Sequence, residues 1–150
     1  MKYSGGKAMA HFNVLIVDDE QEFREMTIKR LNKRNLCCYG AENGEEALEQ
    51  VEQQPIDVVL LDVKMPGMDG IMTLKEIKRI KPHIEVVMLT GHASVESGID
   101  GMRLGAFDYL MKPIELEPLI EKLKEAYEKR RIHQGKIGMG LEANGMKIRS

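Results

Sequence analysis

Ile56-Asp57-Val58-Val59-Leu60-Leu61-Asp62-Val63-Lys64-Met65-Pro66-Gly67-Met68-Asp69-Gly70 is the stretch from which the rest of the chain can be read. Its opening is a nearly unbroken apolar run with no alternation, the pattern of a strand covered on both faces. That strand ends on a carboxylate, Asp62, which is costly beside so apolar a segment unless something compensates its desolvation. The turn that follows leads to a helix carrying Ile71, Leu74 and Ile77 on one face.

The same alternation continues on both sides. Upstream, Asn13–Val17 predicts a second buried strand. A helix follows between Glu20 and Asn35, with Phe23, Met26 and Leu31 spaced for its inward face. Leu36–Ala41 reads as a short strand and Glu45–Gln53 as a helix with Ala47, Leu48 and Val51 inward, broken by Pro55. Downstream, Lys81-Pro82 stops the helix, Ile84–Leu89 is the fourth strand, and Val95, Ile99 and Met102 mark a helix. Phe107–Met111 is the fifth strand. Leu116, Leu119, Ile120, Leu123, Ala126 and Tyr127 form one stripe of a last helix, with Pro118 in its first turn, where a missing N–H costs little.

Five strand–helix alternations predict an α/β fold, a doubly wound (βα)5 parallel sheet with helices on both faces. Right-handed crossovers bring every strand's C-terminal end to one edge, where ligands of such sheets bind. That edge collects Asp18 and Asp19 after the first strand, Asp62 after the third, Thr90 after the fourth and Lys112 after the fifth. Adjacent carboxylates repel unless a cation neutralises them, and hard oxygen ligands suit Mg2+. The alternative, that one acid only caps the next helix, is the weaker reading with a third acid at the end of another apolar strand. Lys112, on a long stem, is the natural compensator for Asp62.

Composition narrows the classes. The chain has 150 residues, 43% hydrophobic and 31% charged, which fits one globular domain. A net charge of -2 gives the chain as a whole no nucleic-acid-binding surface, so direct nucleic-acid binding is not expected. No apolar run approaches the ~20 residues of a membrane helix; a cytoplasmic protein without membrane contact is expected. Cys37 and Cys38 are adjacent and would point to opposite faces of a strand, which suits core packing better than a disulfide. The histidines, His11, His83, His92 and His133, show no metal-ligand spacing. Residues 1–11 read as a flexible extension. Residues 132–150, with Gly135, Gly138, Gly140 and Gly145 among scattered polar and basic residues, read as a disordered Gly-rich basic tail.

Val17-Asp18-Asp19, Leu61-Asp62 through Gly70, Leu89-Thr90-Gly91 and Phe107-Asp108-Tyr109-Leu110-Met111-Lys112-Pro113 together resemble the response-regulator receiver domain of two-component signalling, over roughly residues 12–131. The resemblance implies a flavodoxin-like sheet of order 2-1-3-4-5, the order known for receivers. It implies that Asp62 accepts a phosphoryl group from the phosphohistidine of a sensor histidine kinase or phosphotransfer protein. Mg2+ would be held by Asp19 directly, Asp18 largely through water, Asp62 and the Lys64 carbonyl. Lys112 and Thr90 would contact the phosphoryl group, and Tyr109 would be the switch aromatic. A cis Lys112-Pro113 bond is also implied, and Lys64 and His92 fall at sites that tune phosphoryl lifetime in relatives.

By this resemblance the chain is a phosphorylation-switched module, not an enzyme with an external substrate, and it signals to an effector protein through the fourth helix, fifth strand and fifth helix. A close variant is a receiver cut from a larger regulator, such as a DNA-binding one, with Lys129-Arg130-Arg131 opening a linker. A phosphatase with an aspartate nucleophile would want a second acid two residues on, where Lys64 stands. A flavin or dinucleotide protein would want a phosphate-cradling loop after the first strand, where Asp18-Asp19-Glu20 would repel a bare phosphate. Gly98 and Gly101 each cost ~1 kcal/mol relative to alanine in a helix interior, so the fourth helix is expected to be locally unstable without phosphate.

Overall fold

A computed structural model describes residues 11–65, 67–91 and 95–143. Among the described residues ten elements alternate: β1 (Asn13–Val17), α1 (Gln21–Asn32), β2 (Cys37–Ala41), α2 (Gly44–Gln53), β3 (Val58–Leu61), α3 (Gly70–Ile80), β4 (Glu85–Thr90), α4 (Val95–Arg103), β5 (Asp108–Met111) and α5 (Leu116–Ala143). The strands form one parallel sheet in the order β2-β1-β3-β4-β5. The expected fold class and strand order are both present.

Side-chain alternation splits the core into two layers. Leu15, Val17, Val59, Leu61, Val86 and Met88 face one side, against Ala47 and Val51 of α2 and Leu74 and Ile77 of α3. Val14, Ile16, Val58, Leu60, Val87 and Leu89 face the other, against Leu31 of α1 and Leu119, Ile120, Leu123 and Ala126 of α5. Strands β1, β3 and β4 have both faces covered, which is why their sequences read as continuous apolar runs.

Helix ends follow local chemistry. The Asn43 side chain accepts from Glu46 N–H to start α2, and that of Asp69 accepts from Met72 N–H to start α3. Helix α1 stops at Asn32, three residues before the expected end. Asn35 adopts φ 69°, and Leu36 N–H turns back to the Leu31 carbonyl; asparagine tolerates this left-handed conformation better than most residues.

Two expectations are corrected, on Met26 and on the tail, while α4 is present as expected and turns its glycine face to the sheet. Met26 is exposed and the polar Thr27 takes the buried place between Phe23 and Leu31, because the 23, 27, 31 spacing tracks the helix face more closely than 23, 26, 31. Ile99 and Met102 of α4 are both 48% exposed. The domain was expected to give way to a disordered tail at 132, but α5 runs on to Ala143. No proline follows Pro118, and Gln134, Lys136, Met139, Leu141, Glu142 and Ala143 are good helix formers. Residues 144–150, and all of the expected N-terminal extension except His11, lie outside the described residues.

The two cysteines differ. Cys37 is exposed, while Cys38 is half-buried against the α1–α5 layer, and burial pushes its thiol up to about 12. Cys38 therefore serves as a small apolar residue, and core packing accounts for one of the pair only.

Candidate functional site

The C-terminal sheet edge is built by backbone ladder bonds that continue one residue past the strands. Asp18 N–H donates to the Ala41 carbonyl at 3.1 Å, Asp62 N–H to Val17 at 3.0 Å and Lys112 N–H to Thr90 at 2.9 Å. Each of these three candidate residues is thus fixed by the strand beside it. Asp18 and Asp62 are buried, at 2% and 4% exposure, and Thr90 is fully buried as the last residue of β4. Asp19 is exposed.

Carboxylate oxygens of Asp18, Asp19 and Asp62 lie within 4.8 Å of one another. Asp62 Oδ1 is buried and meets no hydrogen-bond donor among the described residues. A buried carboxylate oxygen left so is costly, and it is the arrangement expected of a group that takes a cation or a reacting atom. The three residues fit a hard divalent cation.

Asp18 is otherwise committed. Its Oδ1 accepts from Glu20 N–H at 2.9 Å and its Oδ2 from Lys112 Nζ at 2.8 Å. Among the described residues no side chain caps α1; Asp18 instead closes a turn on Glu20, the residue just before the helix. Lys112 Nζ also donates to Glu20 Oε1 at 3.2 Å and sits 4.0 Å above the Phe23 ring. Lys112 was expected to compensate Asp62 directly. Its ion pairs are with Asp18 and Glu20 instead, and it reaches Asp62 only through space.

Burial pushes the Asp18 carboxyl above its ordinary value, against the opposing pull of Lys112 and the Glu20 N–H. Burial pulls the Lys112 ammonium down, but the hydrogen bond and charge of Asp18, with Glu20 and Asp62, more than offset this and hold it above its ordinary value. The two partners therefore respond to folding in opposite senses. For Lys112, folding favours the charged form, a contribution present at neutral pH and lost only as pH rises through its folded value. For Asp18 the charged form is a burden of the fold, relieved as pH falls through its folded value. The contact compensates burial rather than adding net stability.

Three glycines shape the site and the packing beside it. A Cβ on Gly70 would lie 2.2 Å from the Asp62 carbonyl oxygen and 2.5 Å from Val63 Cα, while Gly70 N–H donates to the Val63 carbonyl at 2.7 Å. Helix α3 therefore begins directly against the backbone that carries Asp62. In α4, a Cβ on Gly98 would lie 3.7 Å from the Tyr109 ring, and one on Gly101 would lie 2.7 Å from Met88 Sδ. These glycines let the helix close on β4 and on Tyr109, which packs against the α2–α3 layer. That packing role was not visible in sequence, where the glycines read only as a propensity cost.

Lys64 is exposed in the loop after β3, and the Lys112-Pro113 bond is cis as expected. His92 and Pro66 lie outside the described residues.

The model of the response regulator receiver domain family matches residues 14–124. The chain belongs to that family. It is a phosphorylation-switched signalling module of the receiver type. The chain is 41% identical over 120 residues to the transcriptional regulatory protein ZraR of Escherichia coli K12, and 36% identical over 113 residues to the DNA-binding transcriptional regulator NtrC of the same strain. Those alignments take in 79% and 75% of this chain but 27% and 24% of the relatives, so it spans about a quarter of their length. Among solved structures, a CheY-like receiver domain protein from Methanospirillum hungatei JF-1 has a TM-score of 0.79 at 29% identity, covering 83% of this chain and 99% of that one. NtrX from Brucella abortus gives 0.80 at 28% identity, covering 87% of this chain and 30% of that one.

Proposed function

We propose that this receiver takes a phosphoryl group onto Asp62 from the phosphohistidine of a sensor histidine kinase or a phosphotransfer protein, in the cytoplasm. The observation that carries the proposal is the buried Asp62 Oδ1, without a donor among the described residues, within the three-carboxylate cluster. An ionised oxygen with no donor on it keeps its lone pairs for phosphorus. As its bond to phosphorus forms, the phosphorus–nitrogen bond of the donor breaks, and the electron pair leaves with the imidazole. The product is an acyl phosphate on Asp62.

Mg2+ is the cation proposed, held by Asp18, Asp19, Asp62 and the Lys64 carbonyl; when bound it would neutralise the acids and offset charge on phosphoryl oxygens. Asp18 has both oxygens engaged within the protein, which supports its acting largely through water, while exposed Asp19 is open to direct ligation. Lys112 brings its ammonium to the same edge, where its charge acts on phosphoryl oxygens. Thr90, the last residue of β4, would bond the phosphoryl group, and Tyr109, beneath α4, is the proposed switch aromatic. The readout surface is the α4-β5-α5 face, where Ile99, Met102 and Met111 expose apolar area to a downstream effector protein. The proposal gives the chain no turnover of external substrates. Among the described residues no helix is long and apolar enough to cross a membrane.

Titration with Mg2+, followed by amide NMR, is expected to give one saturable set of shifts centred on Asp18–Glu20 and Asp62–Lys64, lost in Asp19→Ala. The exposure of Asp19 makes that variant safe for the fold. Saturable shifts that persist unchanged in Asp19→Ala would contradict the ligand set.

A further inference from the structure

At the opposite, N-terminal edge of the sheet the turn between α3 and β4 meets the outer part of α5. The rings of His83 and His133, 50 positions apart in sequence, lie with centroids 4.4 Å apart at an interplanar angle of 44°. His83 Nδ1 is buried with no hydrogen-bond partner among the described residues, while His133 as a whole is exposed. We propose that His83 and His133 form a two-histidine chelate for a borderline transition-metal dication of the Ni2+, Cu2+ or Zn2+ type.

Geometry and pre-organisation both carry this. An ion ~2.0–2.1 Å from one nitrogen of each ring places the ring centres roughly 4.5–5 Å apart, close to the 4.4 Å observed. The His83 turn is already held, because Lys78 Nζ donates to the Pro82 and Ile84 carbonyls at 3.0 and 2.9 Å. His133 is held one helical turn earlier, where Arg130 Nε donates to Asp57 Oδ1 at 2.9 Å. A cleft of ≈ 410 Å³ beside His83, lined in part by Ile56, Ile84 and Arg130, leaves room for water to fill the remaining coordination positions.

The surrounding charge is largely balanced. Arg130 pairs with Asp57, Arg131 with Glu128, and Lys129 lies 3.9 Å from buried Glu85. Lys78 and exposed Lys81 are the cations left over nearby, and they moderate rather than forbid a bound dication. Imidazole suits nickel, copper and zinc, whereas magnesium prefers oxygen, so this pair and the carboxylate cluster select different ions. A bound ion would tie the α3–β4 turn to α5 and brace the helix where it leaves the domain.

Ni2+ is a suitable probe because it is paramagnetic and broadens nearby amide signals. With Mg2+ in millimolar excess to occupy the carboxylates, substoichiometric Ni2+ is expected to broaden signals around His83 and His133. Replacing either histidine, as His83→Gln or His133→Gln, should weaken that binding by about tenfold or more, while His11→Gln leaves it unchanged. Hydrogen exchange in residues 128–133 should slow when Ni2+ is added to the wild-type chain only. Matching amide spectra elsewhere confirm that the variants fold. Broadening that survives both single substitutions, or that appears equally around His11, overturns the proposal.

Discussion

Asp62→Asn is expected to take up no phosphoryl group from acetyl phosphate or a phosphohistidine donor while keeping the fold. The amide of asparagine lacks the anionic oxygen that must bond to phosphorus, so the loss is complete rather than graded. The fold should persist because the backbone N–H of residue 62 still donates to the Val17 carbonyl. Without Mg2+ the variant should melt at or above the wild type, since one of three carboxylates within 4.8 Å has lost its charge. Added Mg2+ should then raise the melting temperature of the wild type more than that of the variant. A variant that still took up phosphoryl would place the acceptor elsewhere.

Gly70→Ala should produce the largest stability loss of any single methyl added near the site. The new Cβ would meet the Asp62 carbonyl oxygen at 2.2 Å and Val63 Cα at 2.5 Å. Both are backbone atoms, so no side chain can rotate away. Either the N-terminus of α3 moves outward, losing the Gly70 N–H bond to the Val63 carbonyl, or the loop carrying Asp62 shifts. A cost of about 2–3 kcal/mol is expected, seen as a melting temperature lowered by roughly 5–15 °C. Phosphoryl uptake should slow as well, because displacement at Asp62 misplaces the nucleophile. A melting temperature within about 1 °C of wild type would mean that α3 and the Asp62 loop are not in the close contact described.

Much of this was legible in sequence, for identifiable reasons. Runs such as Val58–Leu61 announce doubly covered strands because no alternation survives when both faces are buried. Once five strands are parallel, their endings must share an edge, so Asp18, Asp19, Asp62, Thr90 and Lys112 could be gathered without coordinates. What sequence hid were choices between neighbours in space. Lys112 pairs with Asp18 and Glu20 rather than with Asp62, although all three acids lie at one edge. Thr27 displaces Met26 from the core because helical angle, not hydrophobicity, decides which side chain faces inward. Gly98 and Gly101 looked like defects until Tyr109 and Met88 were found packed against them. The helical run from 132 to Ala143 was obscured by glycines, which lower helix propensity without forbidding helix.

The central claim is that three carboxylates on neighbouring strand ends form a cation-dependent phosphoryl acceptor. Its most direct test is the intact mass of the wild-type protein after incubation with acetyl phosphate, with Mg2+ and with chelator. A single phosphoryl adduct formed with Mg2+ and absent with chelator is the predicted result. An adduct formed equally in chelator would contradict it.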